Sequence, residues 1–179
     1  VRRAEQIDEL VGRLAAGVGV LSGFVLPKFT ATDGGDHLDR IGAASTRIGR
    51  VLYAMPIIES TSVLHLESRA YALETIRQVL ARHRDKVLAV RIGGTDMCGA
   101  LGIRRDPDLT IYDVHPVAEV IGSIVNVLGR ADGTGFTITG PVWEYYNTHD
   151  RMFRPLLRHT PFEQIDAVRF RTHLVSRDL

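Results

Sequence analysis

Two kinds of apolar pattern alternate along the chain. At residues 5–16, Ile7, Leu10, Val11 and Leu14 recur every three or four positions, which predicts an amphipathic helix ended by Gly17 and Gly19. Leu66, Ala70, Leu73, Ile76, Val79 and Leu80 predict a long helix, and Val117, Val120, Ile121, Ile124, Val125 and Leu128 another. Between these lie short continuous apolar runs at residues 23–29, 51–58, 87–92 and 135–140, each of strand length. Residues 30–36 are polar and Gly-rich and read as a loop, and residues 38–45 read as a short helix. Thr160-Pro161-Phe162-Glu163 has the form of a capping box with Pro at the first helical position, so a last helix is expected there. No internal repeat or low-complexity tract interrupts this order.

Strand and helix therefore alternate, and the strands are near-continuous apolar runs rather than alternating ones. That combination predicts an α/β fold with a parallel sheet buried on both faces. Two architectures satisfy it, an open doubly wound sheet and a (β/α)8 TIM barrel, and both place chemistry at the carboxyl ends of the strands.

Charged residues stand at those ends. Lys28 closes the first run, Glu59 the second, and Asp96 the third after Gly93-Gly94-Thr95. If neighbouring strands are parallel, Glu59 and Asp96 meet at one mouth. Two convergent carboxylates suit Mg²⁺ or Mn²⁺, which takes one or two protein carboxylates and completes its shell with water and substrate oxygens. Without a cation the two charges would repel and raise one pKa. Gly93 and Gly94 have no Cβ and would let a ligand approach the backbone. The structural alternatives are a helix N-cap or solvated loop charge for either acid and a surface lysine for Lys28. Asp113 and His115 precede a helix, where Asp commonly caps. Arg104-Arg105 reads either as a solvated pair or as an anion clamp. Cys98 reads as an inert, half-buried thiol, and Trp143, Tyr145 and Tyr146 as packing residues.

Composition acts mainly by exclusion. Among 179 residues, 22 Lys and Arg face 21 Asp and Glu, a net charge of +1, with 45% hydrophobic and 24% charged residues. Such a chain can bury a core and is not disordered. The near-neutral balance argues against a nucleic-acid binder. No apolar run approaches the roughly 18 residues of a membrane span, so no membrane partner is expected. The single cysteine forbids an intrachain disulfide and predicts a reducing, cytoplasmic setting. The chain has no His-Glu-x-x-His, Walker A, Gly-x-Gly-x-x-Gly or Gly-x-Ser-x-Gly segment. Gly133-Thr134-Gly135 precedes a strand, the wrong context for a dinucleotide site.

Val25-Leu26-Pro27-Lys28, Pro56-Ile57-Ile58-Glu59-Ser60 and Ile92-Gly93-Gly94-Thr95-Asp96-Met97 resemble three successive strand ends of the citrate lyase β-subunit-like group, within the HpcH/HpaI aldolase superfamily of TIM-barrel lyases. Leu101-Gly102-Ile103-Arg104-Arg105, Thr110-Ile111-Tyr112-Asp113 and Gly140-Pro141-Val142-Trp143-Glu144 resemble its branch of TIM-barrel C–C bond lyases associated with tellurium-resistance gene clusters. The resemblance implies that Glu59 and Asp96 hold Mg²⁺ (or Mn²⁺). It makes Arg2, with Arg3 beside it, the nearest match to the substrate-binding arginine of the preceding strand. Lys28 matches the family lysine by position, and Gly93, Gly94 and Thr95 fall at the substrate. Arg91 stands where the citrate lyase pattern has an apolar residue, which implies a different substrate or membership of the tellurium-associated branch.

The implied function is a Mg²⁺-dependent carbon–carbon lyase, of aldolase or citrate lyase type, working through a metal-stabilised enolate. Its substrate would be an oxo acid or an acyl-CoA thioester, so CoA would enter as part of the substrate. A homo-oligomer is the usual assembly of such relatives. Two alternatives stand beside it: a non-catalytic or regulatory barrel relative that binds a metal and a carboxylate ligand, and an open-sheet phosphate binder. A TIM barrel typically needs about 250 residues and at least about 200. Residues 1–179 are accordingly expected to form a single, partial barrel domain. It would contain strands three to seven, with a stub of the first at Val1 to Arg3. The missing initiator Met and the helix-like end at Asp178-Leu179 agree with a longer native chain, or else a partner covers the open edges.

Overall fold

The computed structural model describes residues 1–104 and 110–141, apart from the side chains of Ala15 and Ala16. Arg105, Trp143, Glu144, Tyr145, Tyr146, the helix expected from Thr160 and the chain end at Leu179 lie outside the described residues.

The fold is α/β. Strands β1 (Gly23–Leu26), β2 (Tyr53–Ile58), β3 (Val90–Ile92) and β4 (Ile138–Thr139) form one parallel sheet in the order β1-β2-β3-β4. Helices α1 (Glu5–Leu14), α2 (Ala31–Ile48), α3 (Thr61–Leu64), α4 (Leu66–Arg82), α5 (Gly94–Ala100) and α6 (His115–Leu128) fill the connections. Each strand thus pairs with the next in sequence after a helical crossover, as βαβ units require. Among the described residues β1 and β4 are edges.

The strands are shorter than their apolar runs. β1 stops at Leu26 because Pro27 has no N–H to give the ladder and Lys28 turns to φ +54°. The third run is paired at its start only by an isolated bridge from Val87 to Ala54. The stub expected at Val1 to Arg3 is not a strand, although the Val1 nitrogen donates to the Val25 carbonyl at 2.9 Å.

Burial alternates strictly along β1 to β3, where continuous burial on both faces was expected. Phe24, Leu26, Ala54, Ile58, Val90 and Ile92 are buried, with Ile41, Leu73, Ile76 and Ile124 of the helices in the same core. The intervening residues Val25 and Tyr53 remain 40% and 39% exposed, and Met55, Ile57 and Arg91 are half-buried. The described helices cover one face of the sheet and leave the other half-open.

The loop expected at residues 30–36 is instead the first two turns of α2. Thr30 caps it by accepting from the Asp33 N–H at 3.4 Å, and Gly49 closes it at φ +70°. Gly34 serves packing here, since a Cβ at this position would strike the Phe29 ring. Asp113 does not cap α6, whose N-cap is Val114, and instead completes a capping box on the 3₁₀ turn Ile111–Asp113, whose N-cap is Thr110. There its carboxylate accepts from the Thr110 N–H at 2.7 Å and hydroxyl at 2.6 Å. Cys98 is fully buried rather than half-buried. No described helix is long and apolar enough to cross a membrane.

Candidate active site

The parallel register carries the ends of β1, β2 and β3 to one side of the sheet, and the ladder extends beyond the strands. Phe29 N–H donates to the Ile57 carbonyl and Gly93 N–H to the Ile58 carbonyl, both at 3.1 Å. Lys28, Glu59 and the Gly93–Asp96 segment are thereby held together. The left-handed turn at Lys28 aims its N–H at Glu59, whose Oε1 accepts it at 2.9 Å. The same side chain returns across the mouth to Asp96, with Nζ 3.2 Å from Oδ2. This is an exposed pair, the side chains being 61% and 47% accessible, so it contributes little to stability.

Packing gives Gly93 and Gly94 a reason of their own to be glycine. A Cβ at Gly93 would run into the Glu59 carboxylate, and one at Gly94 would lie 2.7 Å from Cγ1 of Ile111. The two glycines thus make room for protein side chains as well as lining the cavity at the strand ends.

Glu59, Arg91, Gly93, Gly94, Thr95 and Asp96 line a cavity of about 160 Å³, closed below by Ile57 and Ile92. Six of the eight residues singled out from sequence are therefore in one place. Arg2 is not among them. It lines a neighbouring cavity of about 190 Å³, with Lys28, Thr30, Asp33 and His37. Lys28 lines this second cavity and through its Nζ meets Asp96 of the first. A further concavity, about 560 Å³, lies between α4 and α6; its arginine, Arg69, is already bonded to the Val63 and Leu64 carbonyls.

Burial pushes the Glu59 carboxyl above the usual carboxylate range. The Lys28 N–H opposes this, the Asp96 charge adds to it, and the charges of Lys28 and Arg91 again oppose it. A divalent cation would relieve this crowding. The donor set fits Mg²⁺ or Mn²⁺, because both groups are hard carboxylates on one cavity and leave most of the shell to water and ligand. It does not fit a structural zinc site, since the described residues hold no cluster of three or more His, Cys, Asp or Glu side chains.

The sequence reading missed His37, which is buried on α2 and lines the second cavity. The signal was present. Thr30-Ala31-Thr32-Asp33 has capping-box spacing, which starts a helix and puts position 37 one turn beyond Asp33.

A parallel α/β sheet with its charged groups gathered around cavities at the carboxyl ends of its strands is the arrangement of enzymes that act on small molecules. The chain belongs to the C–C bond lyase family of the TIM-barrel fold, whose model matches residues 1–176. No curated protein and no solved structure matches it significantly.

Proposed function

We propose that this chain is a carbon–carbon lyase that uses Mg²⁺ or Mn²⁺, bound by Glu59 and Asp96, to cleave a small oxo- or hydroxy-carboxylate or its acyl-CoA thioester. The observation that carries this reading is the meeting of both carboxylates with Arg91 on one cavity at the strand ends. Cleavage beside a carbonyl leaves an electron pair on the adjacent carbon, and the ion would supply Lewis-acid stabilisation of that charge.

The side chains have separable tasks. Glu59 is fixed by the Lys28 N–H, so its carboxylate needs little rearrangement to act as a ligand. Lys28 Nζ neutralises Asp96 before an ion arrives and can turn toward an anionic substrate afterwards. Arg91 lies on the half-open face of the sheet and makes no ion pair among the described residues, so its guanidinium can take a substrate carboxylate bidentately. Arg2 would serve a second substrate group from the neighbouring cavity. On this reading the open sheet is an arc of a barrel, with β1 to β4 as its fourth to seventh strands. The motifs at their ends support a relationship to the citrate lyase β-subunit-like enzymes and their tellurium-associated branch.

Calorimetric titration with Mg²⁺ tests the assignment. Asp96→Asn should weaken binding by at least about tenfold and leave the far-UV circular dichroism unchanged. A folded Asp96→Asn protein with wild-type affinity for Mg²⁺ overturns the metal assignment.

A further inference from the structure

The cavity beyond Lys28 contains a group that the proposed chemistry has not used. His37 is only 8% exposed, and its Nδ1 lies 2.8 Å from the Asp33 carbonyl one turn earlier in α2. A carbonyl oxygen can only accept, so Nδ1 carries the ring proton and the Nε2 of the neutral imidazole is an acceptor. Nε2 has no hydrogen-bond partner among the described residues. Nor is it sealed in the core, because Thr139 Oγ1 is the one buried, unpartnered side-chain polar atom among the described residues. His37 lines the cavity, the space in which a ligand could reach an accessible Nε2.

The rest of the wall is mixed in a specific way. Asp33 adds a second acceptor, while Arg2 and Lys28 add cations. Lys28 Nζ is engaged by Asp96, whereas the Arg2 side chain makes no ion pair among the described residues. A bare phosphate would meet the Asp33 charge and leave the His37 acceptor unused. A ligand with both a hydroxyl and a carboxylate uses both halves of the wall. At about 190 Å³ the cavity is below the roughly 300–1,000 Å³ of sites for drug-sized ligands, so it suits an acid of a few carbons.

We propose that this cavity is a subsite for a small hydroxy acid, in which His37 Nε2 accepts the ligand hydroxyl and Arg2 takes its carboxylate. This rests on the lyase reading and narrows its substrate class to acids that carry a free hydroxyl. His37 is a binding group here, held in one tautomer by the Asp33 carbonyl.

The test compares 3-hydroxybutanoate with butanoate by NMR titration of the protein in EDTA. The wild type should bind the hydroxy acid about fivefold to tenfold more tightly, the effect of one hydrogen bond. His37→Leu, which keeps an apolar body at this position, should bind both acids equally. The imidazole ¹⁵N spectrum of the wild type gives an independent reading that does not depend on the folding of any variant. It should show a protonated Nδ1 and a pyridine-type Nε2 that shifts with 3-hydroxybutanoate and not with butanoate. Equal binding of the two acids by the wild type, a preference that survives in His37→Leu, or a protonated Nε2 overturns the proposal. Omitting the metal keeps this result separate from the Mg²⁺ titration. Calorimetry reports on Glu59 and Asp96, and the hydroxyl preference reports on His37.

Discussion

Glu59 is under two opposed demands. It is partly buried beside Asp96, which disfavours its charge, and it accepts the Lys28 N–H, which favours it; burial wins and its pKa lies above the usual range. The sign for stability follows. The folded protein holds this proton at higher pH than the unfolded chain does, so stability falls as pH rises from the unfolded to the folded pKa. Glu59→Gln removes that loss and keeps an oxygen for the Lys28 N–H. In EDTA, urea unfolding should show the wild type losing stability relative to Glu59→Gln between mildly acidic and neutral pH, with the variant the more stable of the two at neutral pH. Parallel pH profiles would contradict this. The same substitution should abolish tight Mg²⁺ binding, so stability and metal affinity should change in opposite directions. Gly93 belongs to the same balance. Gly93→Ala sets a methyl group against the Glu59 carboxylate and should cost about 1–3 kcal/mol in urea unfolding, the usual range for overpacking. A neutral Gly93→Ala would mean that Glu59 is free to move aside.

At the scale of elements, the placement of Lys28, Glu59 and Asp96 was legible in the sequence. Each stands where an apolar run gives way to polar residues, and parallel pairing brings such ends together. The start of α2 was not legible by the same means. Gly34 and Gly35 resemble a loop, and only the tertiary contact between Gly34 and the Phe29 ring shows why a helix keeps a glycine there. That error concealed His37, because a loop assignment gives residue 37 no buried face. The cap decides where α2 begins. Thr30→Ala should cost about 1 kcal/mol of stability by urea denaturation, while Thr30→Ser, which retains the acceptor, should stay close to wild type. Equal stability of the alanine variant would show that the 3.4 Å bond to the Asp33 N–H contributes nothing.

For the whole molecule, the question is what the two faces of the sheet do. Strands that are apolar on both faces cannot reveal in sequence which face receives the helices, and the alternation in burial answers this. Leu26, 1% exposed, faces the helices, while its neighbour Val25, 40% exposed, faces the other way. Parallel α/β sheets normally bury both faces. A half-open face of Val25, Tyr53, Met55 and Ile57 that also carries Arg91 therefore combines packing surface with a chemical group. In a closed barrel this face is the interior, filled by layers of side chains. The two faces can be compared within one strand. Leu26→Ala should cost about 2–5 kcal/mol, as for other large-to-small changes in a packed core. Val25→Thr, nearly the same shape with a hydroxyl in place of a methyl, should cost less than about 0.5 kcal/mol if its face is as open as in the described sheet. If the sheet is instead an arc of a barrel whose inner face is covered, Val25→Thr buries an unpaired hydroxyl and should cost about 1–3 kcal/mol. Urea denaturation of the protein with and without Val25→Thr distinguishes these cases. A penalty of that size would show the face being covered in solution. A cost below about 0.5 kcal/mol would mean that the sheet stays open and that the barrel reading fails at this face.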